Sequence, residues 1–135
     1  MIHYITTLEN VEEQDLNGFF VGWPNPPNTK TFRKLLSNSD EIILAVDSET
    51  NQVVGFINAI TDKTLMAFIP LLEVLPSHQG KGIGGVLVKK MFDQLRDFYA
   101  IDLFCDQDLQ SYYKKFGMST STGMVYRNYD KQSGH

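Results

Sequence analysis

The sequence predicts a mixed α/β fold of the α+β type, with elements in the order βααβββαβαβ around one sheet. Two apolar runs, residues 41–47 and 52–60, flank a four-residue turn, which predicts an antiparallel hairpin. Between residues 82 and 98 the apolar positions recur every three or four residues, which predicts an amphipathic helix. A cluster of glycines precedes that helix. The 135 residues suit one domain over residues 1–135, because single cores commonly serve chains of roughly 100–200 residues.

The N-terminal part predicts one strand and two helices before the hairpin. The strand is expected at about residues 2–6. Residues 8–21 are acidic at the start and apolar at the end, which is typical of a helix. Three prolines within residues 22–27 exclude a regular helix and predict a rigid loop. Thr29 can cap a second helix that runs to about residue 36.

The C-terminal part predicts further strands and two helices. A long strand at about residues 65–75 follows the hairpin. The hairpin and this strand are expected to form an antiparallel meander, which makes up the N-terminal part of the mixed sheet. The amphipathic helix covers residues 82–98. After it we expect a strand at residues 100–105, a short helix at 109–116 and a last strand at about 124–129.

Composition and charge exclude several classes of protein. A hydrophobic fraction of 42% and a charged fraction of 21% are ordinary for a globular protein and exclude a disordered or fibrous chain. The longest apolar runs are far shorter than the ~20 residues that a membrane-spanning helix needs, so no membrane association is expected. The net charge of −4 argues against a nucleic-acid partner.

The single cysteine, Cys105, excludes an intramolecular disulfide and fits a reducing cytoplasm, which is the expected location. The three histidines, His3, His78 and His135, lack the spacing of metal ligands, and we predict no metal site. His78 is expected in solvent beside the glycines rather than in a catalytic role.

The glycine cluster is the strongest candidate for a binding site. Gly80, Gly82, Gly84 and Gly85 let the backbone approach a ligand closely just where a helix begins. A helix start presents free N–H groups and the positive end of the helix dipole, which together favour phosphate. Lys81 adds a positive charge. The alternative is a glycine-rich turn that only packs the helix against the preceding strand.

Two other phosphate-binding patterns fit less well. Gly80, Gly82 and Gly85 match G-x-G-x-x-G, and Asp106 lies about where a dinucleotide fold places its ribose-binding acid. About seventy residues of strands and helices precede these glycines, however, and too few follow Asp106 to complete a doubly wound sheet. A P-loop fails because Leu75 stands at the position of its first glycine.

The segment of residues 74–84 resembles the acetyl-CoA signature of the GNAT superfamily of N-acetyltransferases. That signature reads Q/R-x-x-G-x-G/A after a strand and a proline-containing turn, and Gln79, Gly82 and Gly84 occupy its fixed positions. The resemblance implies the GNAT fold, with a mixed central sheet, and an enzyme that moves acetyl from acetyl-CoA to a primary amine. It also implies that the cofactor is held by Leu72, Val74, Gln79, Gly80, Lys81, Gly82, Ile83, Gly84 and Gly85.

A second segment, residues 111–118, resembles the other GNAT signature, a short helix with a tyrosine four residues before a glycine. Tyr113 and Gly117 fill these positions, while Met118 replaces the more usual phenylalanine. The resemblance makes Tyr113 the candidate general acid, because a phenol with a pKa of about 10 is protonated at neutral pH. Tyr112 has the same chemistry, and either ring can instead serve packing alone.

Glu73 is the candidate general base. Its carboxylate interrupts an apolar run, so it must face a cleft or be paired. The alternative is a structural ion pair with a lysine or arginine on a neighbouring strand. The backbone around Glu73 is the stretch in which the resemblance implies N–H donors to the acetyl carbonyl.

The acceptor is expected to be the amine of a small molecule, bound near the aromatic residues Phe19, Phe20 and Trp23. We expect both phenylalanines in the core and leave the role of Trp23 open. A protein lysine or an N-terminus is the nearest variant of this acceptor. The alternative function is a non-catalytic sensor that binds acyl-CoA. A homodimer is possible, since GNAT proteins often dimerise through their C-terminal strands.

Overall fold

A six-stranded sheet forms the centre of the structure, a computed structural model that describes residues 1–135. Its neighbours follow the order β1-β2-β3-β4-β6, and β5 pairs with β3. Only β4 and β6 run parallel, so the mixed fold with an antiparallel meander is confirmed. The strands are β1 (Ile2–Ile5), β2 (Glu41–Asp47), β3 (Gln52–Thr61), β4 (Met66–Ile69), β5 (Leu72–Val74) and β6 (Ala100–Leu103).

Helices cover both faces of the sheet. Helix α1 (Thr29–Asn38) packs on one face in a cluster of four phenylalanines, and α2 (Ile83–Gln94) fills the other with its buried side chains. A short α3 (Gln110–Lys114) follows β6. Because β2 and β3 are buried on both faces, each reads as a continuous apolar run rather than an alternating one. No helix is both long enough and apolar enough to cross a bilayer.

The helix expected at residues 8–21 is absent, and that prediction was wrong. Only a 3₁₀ turn, Glu13–Leu16, forms there. Backbone φ angles are positive at Asn10 (64°), Gly18 (96°) and Phe20 (64°), and no right-handed helix can pass through such residues. The second helix forms as expected, but Asn28 rather than Thr29 caps it, accepting the Thr31 N–H at 2.8 Å.

The long strand expected at residues 65–75 is divided into β4 and β5. The interruption lies at Pro70 and Leu71, and the side chain of Asn58 in β3 stabilises it. Asn58 is only 3% exposed, accepts the Leu71 N–H at 3.1 Å and donates to the Ser39 hydroxyl at 3.0 Å. A polar side chain in the buried strand thus replaces the ladder hydrogen bond that the break removes.

The last predicted strand, residues 124–129, is also absent, and that prediction was wrong. This part of the chain has no regular secondary structure before a 3₁₀ turn at Tyr129–Lys131. Its β-forming side chains suggested a strand, but a strand needs a neighbour, and none lies beside it here. Helix α2 ends at Gln94, four residues before the expected end, while β6 and α3 lie where the sequence predicted a strand and a short helix.

Candidate active site

The sheet divides where β4 gives way to β5, and we call the gap that this leaves beside β5 the cleft. Strand β4 pairs with β6 as far as Ile69 and Leu103, after which β5 continues along β3 alone. The Leu75 N–H donates to Val54 and the Leu71 carbonyl accepts from Asn58, both toward β3. Hydrogen-bonding groups alternate in direction along a strand, so Leu72 and Val74 turn their backbone groups toward the cleft. These are the two residues that the resemblance placed there.

The glycine loop lies at one end of this cleft, where α2 begins. Gly80 and Gly82 have φ angles of 76° and 83°, and a Cβ at either would meet no atom within 4 Å. The first backbone hydrogen bond of the helix joins the Val86 N–H to the Gly82 carbonyl at 3.2 Å, and no side chain caps the helix. The N–H groups of its first turn are therefore free to bind an anion. Lys81 beside them is exposed and forms no salt bridge.

Gln79 joins the glycine loop to β5. Its side-chain amide donates to the Val74 carbonyl at 3.0 Å. This bond occupies one of the backbone groups that face the cleft and holds the loop against the strand end. The side chain of Gln79 thus positions the loop, and its backbone N–H donates to the Pro76 carbonyl at 3.5 Å.

The two adjacent tyrosines of α3 point in different directions. Their rings meet edge to face with centroids 5.2 Å apart. The Tyr112 hydroxyl lies over the start of α2, since Cβ atoms at Gly84 and Gly85 would be 3.6 and 3.5 Å from it. Tyr113 instead lines a cavity beside β6.

Burial raises the pKa of Tyr113 to about 12, with smaller contributions from Cys105 and Tyr112. Burial also raises the pKa of Tyr112. Both phenols are therefore protonated at neutral pH and can donate a proton. The structure brings Tyr112 to the glycine loop and Tyr113 to the β6 side, a division that the spacing to Gly117 could not reveal.

Glu73 holds the N-terminal loop against β5. One carboxylate oxygen accepts the Phe20 N–H at 2.8 Å and the other accepts the Val21 N–H at 3.2 Å. No lysine or arginine pairs with it, so the ion pair considered from the sequence is not formed. The bonds hold Phe20 in a left-handed conformation (φ 64°) that is costly for a non-glycine residue.

His78 is tied to the end of β2, so the expectation that it lies free in solvent was wrong. Its Nε2 lies 3.4 Å from a carboxylate oxygen of Asp47, and its Nδ1 lies 2.8 Å from the Ser77 hydroxyl. The pKa of Asp47 is lowered, mainly because its carboxylate accepts a hydrogen bond from the Glu49 backbone N–H. The hydrogen bond with His78 lowers it further. Together these contacts fix the turn that leads into the glycine loop.

Aromatic side chains surround the segment that Glu73 holds against β5. Phe19 and Phe20 are buried at 9% and 4% exposure, as expected from the sequence. Trp23 packs edge to face on Phe20 with centroids 4.9 Å apart and stays 38% exposed. Trp23 therefore offers an aromatic surface to solvent next to the cleft. No group of three or more histidine, cysteine or carboxylate side chains lies close enough together to hold a metal ion.

Sequence reasoning overlooked Asn58, which divides the long strand and so opens the cleft. A signal was present, because an asparagine stands among the apolar residues of β3. A polar side chain in such a strand must have a specific partner. Its partner at Leu71 lies thirteen residues away and is defined only by the register of β3 with the interrupted strand.

Comparison with known proteins identifies the family to which this divided sheet and uncapped glycine loop belong. The sequence profile described as Acetyltransferase (GNAT) family matches residues 8–118. The crystal structure of an inferred acetyltransferase from Deinococcus radiodurans R1 superimposes with a TM-score of 0.94 at 40% identity, covering 98% of this chain and 92% of that one.

Curated relatives agree with this result. The uncharacterised N-acetyltransferase ycf52 of Pyropia yezoensis is 32% identical over 120 residues, which cover 84% of this chain and 68% of the relative. The histone acetyltransferase TAP1 of Glycine max is 31% identical over 107 residues, or 72% of this chain, but this match covers only 46% of the relative. This chain belongs to the GNAT family of acetyltransferases and is an acyltransferase enzyme.

Proposed function

We propose that residues 1–135 act as one N-acetyltransferase domain that moves acetyl from acetyl-CoA directly to a primary amine of a small molecule. One observation carries this proposal: the free N–H groups at the start of α2 lie next to a strand whose outward backbone groups face an open cleft. The N–H groups of α2 can hold a pyrophosphate. The backbone groups of β5 can hold the thioester-bearing chain that extends from that pyrophosphate. The single free cysteine supports a cytoplasmic setting.

The chemistry of the loop fits the pyrophosphate of coenzyme A. Open space beside Gly80 and Gly82 lets phosphate oxygens reach the backbone, and Lys81 supplies a counter-charge. A Cβ at Gly84 or Gly85 would lie 3.6 or 3.5 Å from the Tyr112 hydroxyl, so this hydroxyl covers the first turn of α2 at ordinary contact distance. The bond from Gln79 to Val74 then orients the loop toward the cleft.

Acetyl-CoA supplies an activated acetyl group as a thioester. During transfer the amine nitrogen bonds to the carbonyl carbon, the carbon–sulfur bond breaks, the amine loses a proton and the sulfur gains one. The backbone N–H groups of Leu72 and Val74 face the cleft in which negative charge develops on the carbonyl oxygen, and one such donor can be worth about 3 kcal/mol.

Two side chains move the protons in this scheme. Tyr113, protonated at neutral pH, donates to the departing sulfur. Glu73 takes the amine proton through a water molecule, because each of its oxygens already accepts one backbone N–H and retains a lone pair. Trp23 covers the apolar part of the amine or stacks on its cation before the proton leaves.

The first test is thermal unfolding with and without acetyl-CoA, with NAD as the control ligand. A ligand at about 100 times its Kd adds roughly 2.7 kcal/mol, a rise in Tm of several degrees for a domain of this size. A rise with acetyl-CoA alone supports the proposal. No rise at millimolar acetyl-CoA, or an equal rise with NAD, would contradict it.

A matched pair of glycine variants locates the site. Gly82→Ala and Gly22→Ala place alanine at φ angles of 83° and 84° in open space, so both suffer the same backbone strain. Only the first lies in the glycine loop, and only it should weaken acetyl-CoA binding by calorimetry. A thiol-release assay with small amines and with a lysine peptide then separates a small-molecule acceptor from a protein one.

A further inference from the structure

The strand that faces β3 contains one extra residue between its two halves. Ile60 faces Phe68 in β4, and Ile57 faces Leu72 in β5, so β3 advances three residues while the facing strand advances four. Such a mismatch is a β-bulge, which re-aims the strand that contains it. Pro70 lies in the extra stretch, where a proline has no N–H group to leave unpaired. The bulge therefore decides how β5 leaves the register of β4.

The side chain of Asn58 takes the place of its own backbone carbonyl at this bulge. The Asn58 backbone N–H donates to the Leu71 carbonyl at 3.3 Å. In a regular antiparallel pair the Leu71 N–H would return this bond to the Asn58 backbone carbonyl. It donates instead to Asn58 Oδ1 at 3.1 Å. A side-chain acceptor therefore sets the position of Leu71 just before β5 begins.

The residue after α1 fixes the orientation of the Asn58 amide. Ser39 Oγ donates its proton to the Leu35 carbonyl at 2.8 Å, so it has only lone pairs to offer Asn58. Asn58 Nδ2 donates to this oxygen at 3.0 Å, which turns the amide oxygen toward Leu71. Asn58 is only 3% exposed, so water competes little for either bond.

We propose that Asn58 is a positioning residue for acetyl transfer and acts through Leu71 on the backbone N–H groups of Leu72 and Val74. If β5 continued the register of β4, the alternation would shift by one residue, and Leu72 and Val74 would turn their backbone groups toward β3. The bulge that Asn58 holds turns them toward the cleft instead. Asn58 itself is buried beneath the strand and acts only through the backbone that it holds.

Amide hydrogen exchange in the ligand-free protein tests the structural step. The Leu71 N–H has a side-chain acceptor, whereas the Leu75 N–H of the same segment donates to the Val54 backbone carbonyl at 2.8 Å. Asn58→Ala should therefore speed exchange at Leu71 at least tenfold relative to Leu75. Asn58→Asp keeps an oxygen acceptor and should leave the ratio of the two rates close to that of wild type. An unchanged ratio in Asn58→Ala would overturn the proposal without any ligand.

Infrared spectroscopy of bound acetyl-CoA tests the positioning step. A hydrogen bond to a carbonyl oxygen lowers its stretching frequency, so acetyl-CoA labelled with ¹³C at the thioester carbonyl reports directly on the donors of β5. The band should fall in frequency on binding to wild type and return toward its free value in Asn58→Ala. Val53→Ala truncates another buried side chain of β3, at 0% exposure and away from the bulge, and is the matched control for lost stability. Its band should equal that of wild type.

Steady-state kinetics should show the same division between transfer and binding. Asn58→Ala should lower kcat about 100-fold, since a misplacement of about 1 Å can have an effect of that size. The Kd for acetyl-CoA should change less than about threefold, because the glycine loop is untouched. Ser39→Ala should lower kcat by a smaller factor. The double variant should be no slower than Asn58→Ala, because both residues act through the same bond to Leu71.

The role of Asn58 rests on the proposed function, and the two fail in different ways. If wild type binds acetyl-CoA but Asn58→Ala matches Val53→Ala in both band position and kcat, only the positioning role is overturned. If wild type does not bind acetyl-CoA, the proposed function is overturned and the positioning role with it. Circular dichroism shows whether Asn58→Ala is folded. If it is not, Asn58→Leu, which fills the space without supplying an acceptor, takes its place in every comparison.

Discussion

Replacing Glu73 with alanine tests how its two hydrogen bonds hold the N-terminal loop against β5. The substitution leaves the Phe20 and Val21 N–H groups without their acceptors at 2.8 and 3.2 Å. Phe20 is 4% exposed, so water cannot easily replace the lost partner, whereas Val21 is 59% exposed and can be solvated. The left-handed backbone at Phe20 then loses the interaction that holds it.

The exposures of Phe20 and Val21 determine how much free energy of unfolding the Glu73→Ala variant should lose. A hydrogen bond to a charged group contributes about 1.5–3 kcal/mol when its partner is buried, and much less when water can substitute. We expect a loss of about 2 kcal/mol, almost all of it from the Phe20 bond. For a domain of this size that corresponds to a fall in Tm of about 8 °C.

Differential scanning calorimetry at neutral pH measures this effect. Glu49→Ala is the matched control, because that carboxylate lies exposed in the β2–β3 turn and makes no hydrogen bond through its side chain. Glu73→Gln retains one acceptor oxygen and should lie between wild type and Glu73→Ala. Equal Tm values for Glu73→Ala and Glu49→Ala would refute the anchoring role.

Three further predictions concern other parts of the chain. Asn58→Ala removes the acceptor of the Leu71 N–H in a buried strand and should lower the free energy of unfolding in urea by about 2–3 kcal/mol. The N–H groups of Leu65, Met66 and Thr64 hold the pKa of Asp62 below its usual value. Asp62→Asn should therefore have a lower Tm than wild type at pH 6, and the difference should shrink below about pH 4, where the wild-type carboxylate becomes protonated and its stabilisation is lost. Tyr113→Phe should lower kcat about 100-fold while the Kd for acetyl-CoA changes little.

Each of these has a result that would contradict it. An Asn58→Ala midpoint in urea equal to that of wild type would mean that water or another group satisfies Leu71. A Tm difference for Asp62→Asn that is constant from pH 6 to pH 3 would show that the carboxylate charge contributes nothing. If Tyr112→Phe lowers kcat and Tyr113→Phe does not, the proton donor is the tyrosine over the start of α2.

Sequence patterns predicted the secondary structure correctly wherever a short segment specifies its own conformation. The continuous apolar runs of β2 and β3 and the glycines before α2 predicted those elements and their order. The same local chemistry placed Gly82 at the helix start with the positive φ angle that only glycine adopts without cost. The two GNAT signatures predicted the fold and the family from few residues.

Prediction failed wherever a distant residue decided the backbone. Residues 8–21 have helix-like composition, yet the Glu73 carboxylate, more than fifty residues away, holds Phe20 in a conformation that no helix allows. Asn58 likewise divides the long strand, because its side chain replaces a ladder bond at Leu71. Spacing alone could not reveal that Tyr112 rather than Tyr113 lies over the glycine loop.

The sequence by itself determined most of the alternation of strands and helices, the glycine loop before α2 and the family, because these depend on residue types at short spacing. Only the tertiary structure decided the cleft between β5 and β6, the anchoring of the N-terminal loop and the exposure of residues 124–129. Each of those depends on hydrogen bonds between residues far apart in the chain, or on their absence. Such bonds are specified by the register of the sheet, which no short segment contains.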